Sequence, residues 1–304
     1  MLAPTVLRSL ALAPGAHPEG HVHLSAASGL AHVGGRFYVV ADDDHHLGWF
    51  EEDAAAPVQL LRLFDGDLPA APAGRKARKP DLESLLVLPP MQGHPHGALF
   101  ALGSGSTARR HAGVCLALDA QGGCIGPPRH VELDGLYAPL HERFAQLNIE
   151  GAFVLAGRLR LLQRGHVGDP RNACIDFDLA AVQRWLADPA AGAPPVGAVQ
   201  FLSLGEVEGV PLCFTDGAAL PDGGWVFSAV AENTADTYLD GACLGAAVGR
   251  AGPDGAMRWI EPLSSPWKVE GIAADLRGDA LVLSLVTDAD DPAVAAQLLR
   301  LVVR

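Results

Sequence analysis

The chain has 304 residues, of which 49% are hydrophobic and 19% charged, with 35 glycines and 23 prolines. That balance suits many short strands joined by turns and leaves little room for long helices. A formal charge of −13 has the wrong sign for nonspecific attraction to nucleic acid or anionic membranes. No run of apolar residues is long enough to mark a membrane span, and residues 1–20 lack the basic start and long apolar stretch of a secretory signal, so a cytoplasmic location is expected.

In chain order, "TVLRSLALAP" is a spare strand ahead of a repeat. Five units follow, aligned on the residue before a Gly or Ser: Ser28, Glu83, Glu150, Asp216 and Glu270, at intervals of 54 to 67 residues. Each unit runs through a short apolar strand, a turn such as "VGGR", "LAGR" or "LPDGGW", and a second apolar strand such as "FYVVAD", "LRLLQR", "WVFSAV" or "LVLSLV". Weaker third and fourth strands follow, among them "GVCLALDA" and "ACIDFDL". Four strands per unit of this length is the size of a propeller blade. The expectation is an all-β fold, one propeller domain over residues 1–304, with five blades and six as the alternative. The last unit ends one strand short at "QLLRLVVR", so the N-terminal strand is expected to complete it and close the ring.

Two stretches depart from the β pattern. "GLYAPLHERFAQLNIE" sets Leu140, Phe144 and Leu147 at helical spacing, predicting a helix that covers the ring mouth or packs beside it. "DLAAVQRWLADP" has Asp178 as an N-cap and Leu179, Val182, Trp185 and Leu186 on one face, stopping near Pro189. The five cysteines form no CxxC pair and are read as reduced packing residues.

The first strand of each propeller blade lines the central channel, so Glu83, Glu150, Asp216 and Glu270 are expected to meet at one mouth, with Ser28 in the fifth place. "DG" and "EG" also serve as plain turn chemistry, but here they recur at one phase of a repeat. Four neighbouring carboxylates need compensating charge. One source is a hard cation, Ca²⁺ before Mg²⁺, since no His or Cys recurs in the repeat. The other is internal pairing with Lys268, Lys79, Arg109 and Arg164.

The loops between second and third strands, "ADDDHHLGWFEED", "GSGSTARRHAG", "QRGHVGDPRN", "AENTADTYLDG" and "VTDADDPA", frame the same mouth. Asp42, Asp43 and Asp44 with His45 and His46 form either a second ion or acid–base site or a solvated acidic turn. Ser104, Ser106, Arg109, Arg110, Arg164, His166 and Asn172 are donors suited to a phosphate or carboxylate. GxSxG, GxxxxGK[ST] and GxGxxG are all missing.

These strand starts, each followed by a hydrophobic run, a Gly-rich turn and a strand ending in an acid, resemble the calcium-dependent propellers of the gluconolactonase, strictosidine synthase and paraoxonase group. They are also similar to the esterase-like propeller domain of bacterial phytase-like proteins. The resemblance covers the repeat units at the level of pattern. It implies Glu83, Glu150, Asp216 and Glu270 as metal ligands, although the Asn common at these positions in the gluconolactonase group is missing and those enzymes are usually six-bladed. The implied activity is metal-dependent hydrolysis of a small ester, lactone or phosphoester. Ca²⁺ would polarise the substrate, His45, His46 or His166 would serve as base, and Ser104, Arg109, Arg110, Arg164 and Asn172 would hold an anionic substrate. The alternative is a propeller that binds a small anion or a protein partner through the same mouth without catalysis.

Overall fold

The alternating repeats fold into five antiparallel sheets in the computed structural model, which describes residues 1–234, 241–264 and 267–304. Blade 1 holds Ala27–Val33, Arg36–Ala41, His46–Glu51 and Gln59–Arg62. Blade 2 holds Leu82–Leu88, Ala98–Gly103, Ala112–Leu118 and Cys124–Glu132. In blade 3 the strands are Ile149–Leu155, Arg158–Gln163, Asn172–Asp178 and Val196–Leu202. Blade 4 comprises Val210–Ala219, Trp225–Glu232, Cys243–Ala251 and Met257–Pro262, with the short Glu206–Val207 added beside its first strand. Blade 5 is Val269–Arg277, Ala280–Thr287 and Gln297–Val303, completed by the N-terminal Thr5–Ser9. The first strands touch in sequence around a ring, the fifth meeting the first.

The second strands are apolar on both faces because each is sandwiched between neighbouring blades. Trp225–Glu232, "WVFSAVAE", is buried at every residue. The core is accordingly divided among the blade interfaces: Phe153 packs with Phe214, Trp225 and Phe227 between blades 3 and 4, and Leu30 and Phe37 pack with Val286 and Leu298 between blades 1 and 5. Thr5–Ser9 pairs antiparallel with the last strand, Val6 opposite Leu299 and Ser9 opposite Gln297. The chain then crosses to blade 1, where Leu10 N–H donates to Ala296 O and Val58 N–H donates to Ala11 O. All five cysteines are free thiols.

Helix Leu179–Ala187 forms where expected. Asp178 accepts the Ala181 N–H at 2.9 Å, and Leu179, Val182, Trp185 and Leu186 are the buried face. The other expected helix is shorter, Asp134–His141. Leu140, Phe144 and Leu147 all reach one core between blades 2 and 3, yet the last two do so from irregular chain. Their spacing reported burial more faithfully than helix length. A third helix, Pro72–Arg78, has no apolar stripe to betray it.

Every first strand is bulged at the same point, between Ala27 and Gly29, Leu82 and Ser84, Ile149 and Gly151, Phe214 and Asp216, and Val269 and Gly271. The residues left out of the ladder are therefore Ser28, Glu83, Glu150, Thr215 and Glu270. Asp216 falls one place later, at the position of Gly29, Gly151 and Gly271. Glycine recurs there because first strands of adjacent blades nearly touch: a Cβ on Gly151 would sit 2.8 Å from Asp216 Cα, and one on Gly29 would sit 2.8 Å from Leu85 N.

Candidate functional site

The bulge takes Glu83, Glu150 and Glu270 out of the ladder and turns them into one end of the channel. They line a narrow cavity of about 80 Å³ with Asp42, Asp81, Glu232, Asp288 and Asp290, facing Lys76, Lys79, Arg110, Arg164 and Lys268. Asp216 lies outside this lining. Its carboxylate accepts the Gly217 N–H at 2.7 Å and the Ile272 N–H at 3.0 Å, with a further backbone bond from Ala152, so it stitches the first strands of blades 3, 4 and 5 together.

The mouth is a lattice of ion pairs. Arg164 lies 3.3 Å from Glu150 and bonds Glu232; Lys268 lies 3.5 Å from Glu270 and bonds Asp290. Lys79 bonds Asp42 and is 3.0 Å from Asp81, which also pairs with Arg110 at 2.9 Å. Arg110 thus fills the role expected of Arg109, whose guanidinium reaches out to Ala77 O at 3.4 Å. Burial, reinforced by neighbouring carboxylates, pushes Glu270 up to about 8 against the pull of Lys268 and Arg164. Asp42 rises to about 6 and Asp288 to about 7, again chiefly by burial.

Glu83 differs from the rest. Among the described residues its carboxylate makes no hydrogen bond and no ion pair. Burial first, then Glu150, Asp81 and Asp42, hold it well above the usual carboxylate range, with Lys79 as the opposing charge.

The expected calcium ion does not fit this donor set. Oxygens of Asp42, Asp81 and Glu83 come within 4.8 Å of one another, but the Lys79 ammonium already bonds the first two. Glu150 and Glu270 are engaged by Arg164 and Lys268, and Asp216 is committed to backbone N–H groups.

The remaining expected residues have separate places. Ser104 is buried and donates to Asp81 at 2.5 Å, holding it toward Lys79 and Arg110. Asn172 is fully buried; its Oδ1 accepts from Gly165 and Phe214 N–H, and its Nδ2 donates to Leu212 O, fastening blade 3 to blade 4. Of the three expected bases only His166 lines the mouth, its Nδ1 accepting the Gly168 N–H at 3.1 Å. His45 bonds Gly66 O from the surface. His46 is buried, its Nδ1 2.8 Å from Asp44 Oδ1, while His17 approaches the other Asp44 oxygen at 3.1 Å. The Glu19 N–H donates to His17 Nδ1, so the neutral ring carries its proton on Nε2, toward Asp44. This buried group pins the N-terminal crossing; it answers to the expected second site but has no open face. Residues 235–240 of the "AENTADTYLDG" loop lie outside the described residues.

A second, larger cleft of about 660 Å³ adjoins the mouth and shares Asp42, Lys76, Lys79, Asp288 and Asp290 with it. Its other wall comes from the N-terminal crossing, including His21, Val22 and His23, together with Leu68 and Arg75.

Residues 23–303 match a family described as a family of unknown function, DUF6929. No curated protein matches the sequence. Among solved structures, an α-L-arabinofuranosidase from Podospora anserina is similar at TM-score 0.52 and 11% identity, over 99% of this chain and 96% of that one. Glutaminyl cyclase from Myxococcus xanthus is similar at TM-score 0.50 and 12% identity, over 100% and 98%. A gluconolactonase from Xanthomonas campestris reaches TM-score 0.33 and 13% identity over 67% and 57%. The first two likenesses support the propeller type, and the particular calcium-dependent families are left unsupported.

Proposed function

The chain belongs to the DUF6929 family of unknown function, which passes on no activity, and we propose from the geometry of the mouth that it is a hydrolase of a small, uncharged polar substrate, with Glu83 as its proton-transfer group. The observation that carries this reading is the state of Glu83: a half-buried carboxyl facing the channel cavity, raised by its surroundings and, among the described residues, in no ion pair. A carboxyl whose surroundings make it hold its proton more tightly is suited to donate to a leaving oxygen. Lys79, beside Asp42 and Asp81, is the nearest fixed positive charge for an oxygen that gains electron density.

Charge argues for an uncharged substrate. Eight carboxyl groups line the mouth against five Lys and Arg side chains, so even with Glu83 and Glu270 protonated no excess of positive charge remains to draw in an anion such as a phosphoester. An ester, lactone or glycoside would instead find acceptors and donors in alternation, with the adjoining cleft to hold its remainder. The likeness in fold to an α-L-arabinofuranosidase and a glutaminyl cyclase is compatible with this reading but supplies no residue to it.

The test is turnover of a panel of chromogenic esters, lactones and glycosides by the purified chain and by Glu83→Gln. The expected result is loss of about 10²-fold or more in kcat for the variant with an unchanged melting midpoint. Full activity in Glu83→Gln would overturn the assignment. Binding without turnover, equal in both proteins, would favour the non-catalytic propeller.

A further inference from the structure

Away from the mouth lining, the helix Asp134–His141 and the loop before Ala112–Leu118 bring two histidines together. His111 Nε2 and His141 Nε2 face each other at 3.0 Å, their rings stacked with centroids 5.1 Å apart. His111 Nδ1 is 2.5 Å from Asp134 Oδ1, which fixes its proton on Nδ1 and leaves a lone pair on Nε2. The Gly105 backbone favours the protonated form of His141, which places its carbonyl on the side of that ring. The Gly105 N–H is taken by Arg110 O, in keeping with this. With Nε2 turned to His111, a proton held on Nδ1 toward that carbonyl leaves the second lone pair facing the gap as well.

In that tautomer the two lone pairs face one another across 3.0 Å, a gap that a proton or a metal ion bridges. Partial desolvation first, then the neighbouring His111, lower the affinity of His141 for a proton. A carboxylate on the His111 Nδ1–H is the kind of partner that orients metal-ligating histidines and fixes which nitrogen is free to bind. The buried His17, Asp44 and His46 group makes a useful contrast, because there a backbone N–H faces His17 Nδ1 and forces the proton onto the nitrogen a metal would need.

We propose that His111 and His141 form a two-histidine site for a late first-row divalent cation of the Cu²⁺ or Ni²⁺ type. Metal–imidazole bonds of about 2.0–2.1 Å spanning this gap subtend roughly 95°, which fits cis positions of a tetragonal ion better than the wider angle of tetrahedral zinc. His141 is exposed and Asp134 is 73% exposed at its side chain, so water can fill the remaining positions. Asp134, Tyr137 and His141 share one helical stripe against His111, with Tyr137 edge-on to the His111 ring at 5.4 Å and its hydroxyl on Gly103 O. A bound ion clamps this helix to the loop that presents Arg110 to Asp81.

The experiment is Cu²⁺ and Ni²⁺ titration of the full chain against a chelator of moderate affinity, with electron paramagnetic resonance of the first Cu²⁺ equivalent. Expected are one site per chain, coupling from two imidazole nitrogens, loss of that site in His141→Ala, and affinity lowered about 10–100-fold in Asp134→Asn. His141 is on the surface, so its variant should fold, and an unchanged melting midpoint checks this. Equal affinity in His141→Ala, or a spectrum without a two-nitrogen signature, overturns the proposal.

Discussion

Ser28 and Thr215 make the same bond in different blades: each hydroxyl donates to the main-chain carbonyl just ahead of the next blade's mouth glutamate, Ser28 to Leu82 O and Thr215 to Val269 O at 2.7 Å. The blades that place a hydroxyl at the bulge thus set the backbone from which Glu83 and Glu270 project. Thr215→Val keeps shape and volume but strands a buried carbonyl and the Ser228 hydroxyl, 2.9 Å away. It should cost about 1–3 kcal/mol, read from urea unfolding midpoints at constant m-value.

Arg164 is the shared counter-charge of Glu150 and Glu232. Arg164→Met leaves two buried carboxylates short of a partner and should destabilise by about 3–5 kcal/mol. Adding Glu232→Gln to that variant should recover part of the loss. Additive losses in the double variant would show that the pair does not interact.

Stability should fall as pH rises from about 4 to 8. Asp42, Asp288 and Glu270 have folded values of about 6, 7 and 8, above those of an unfolded chain, so the folded state holds their protons more tightly. Their contribution is complete below the unfolded value and is lost as pH climbs through the folded one, at no more than about 1.4 kcal/mol per pH unit for each group. Asp44, lowered by His17 and His46 in spite of burial, acts oppositely and weakens the fold as pH drops below about 4. Melting midpoints from pH 3 to 9 should therefore peak on the acidic side of neutral, with a shallower alkaline limb in Glu270→Gln.

Calcium should leave the melting midpoint where it is. An ion bound only by the folded chain raises the midpoint progressively with its concentration, whereas the mouth carboxylates already hold Lys79, Arg164 and Lys268. Midpoints in EGTA and in millimolar Ca²⁺ that agree within about 1 °C fit the ion-pair lattice, since even 1 kcal/mol moves a domain of this size by a few degrees. A rise in Ca²⁺ that disappears in Glu83→Gln would restore the metal reading.

The ring was legible because each blade repeats the same demand: an unpaired residue at the bulge, then little or no side chain where first strands nearly collide. Glu83, Glu150 and Glu270 follow from that phase. Asp216 misled because "DG" copies the "EG" letters one residue late, and the bulge that tells Thr215 from Asp216 is a feature of pairing with Trp225–Glu232, invisible in one strand alone. Lys268 was recognisable as a counter-charge from its place two residues before Glu270, and Lys79 and Arg164 were expected, with Arg109, to neutralise the other acids. Asp81, Glu232 and Asp290 were not singled out, since loop acids carry no periodic signal. The role of His17 depends on a crossing from blade 5 to blade 1 that no local pattern records.

Closing the ring with Thr5–Ser9 against Gln297–Val303 has a consequence for biosynthesis. Thr5–Ser9 cannot find its partner until Gln297–Val303, made after all four other blades, leaves the ribosome, so those internally complete blades can assemble while residues 5–9 wait unpaired. Val6 and Leu7, 47% and 41% exposed even in the finished ring, are then bare apolar positions on an open edge, a hazard for association with other nascent chains. A bulky fusion ahead of Thr5 would act on this late step, lowering soluble yield more than the midpoint of those molecules that do close.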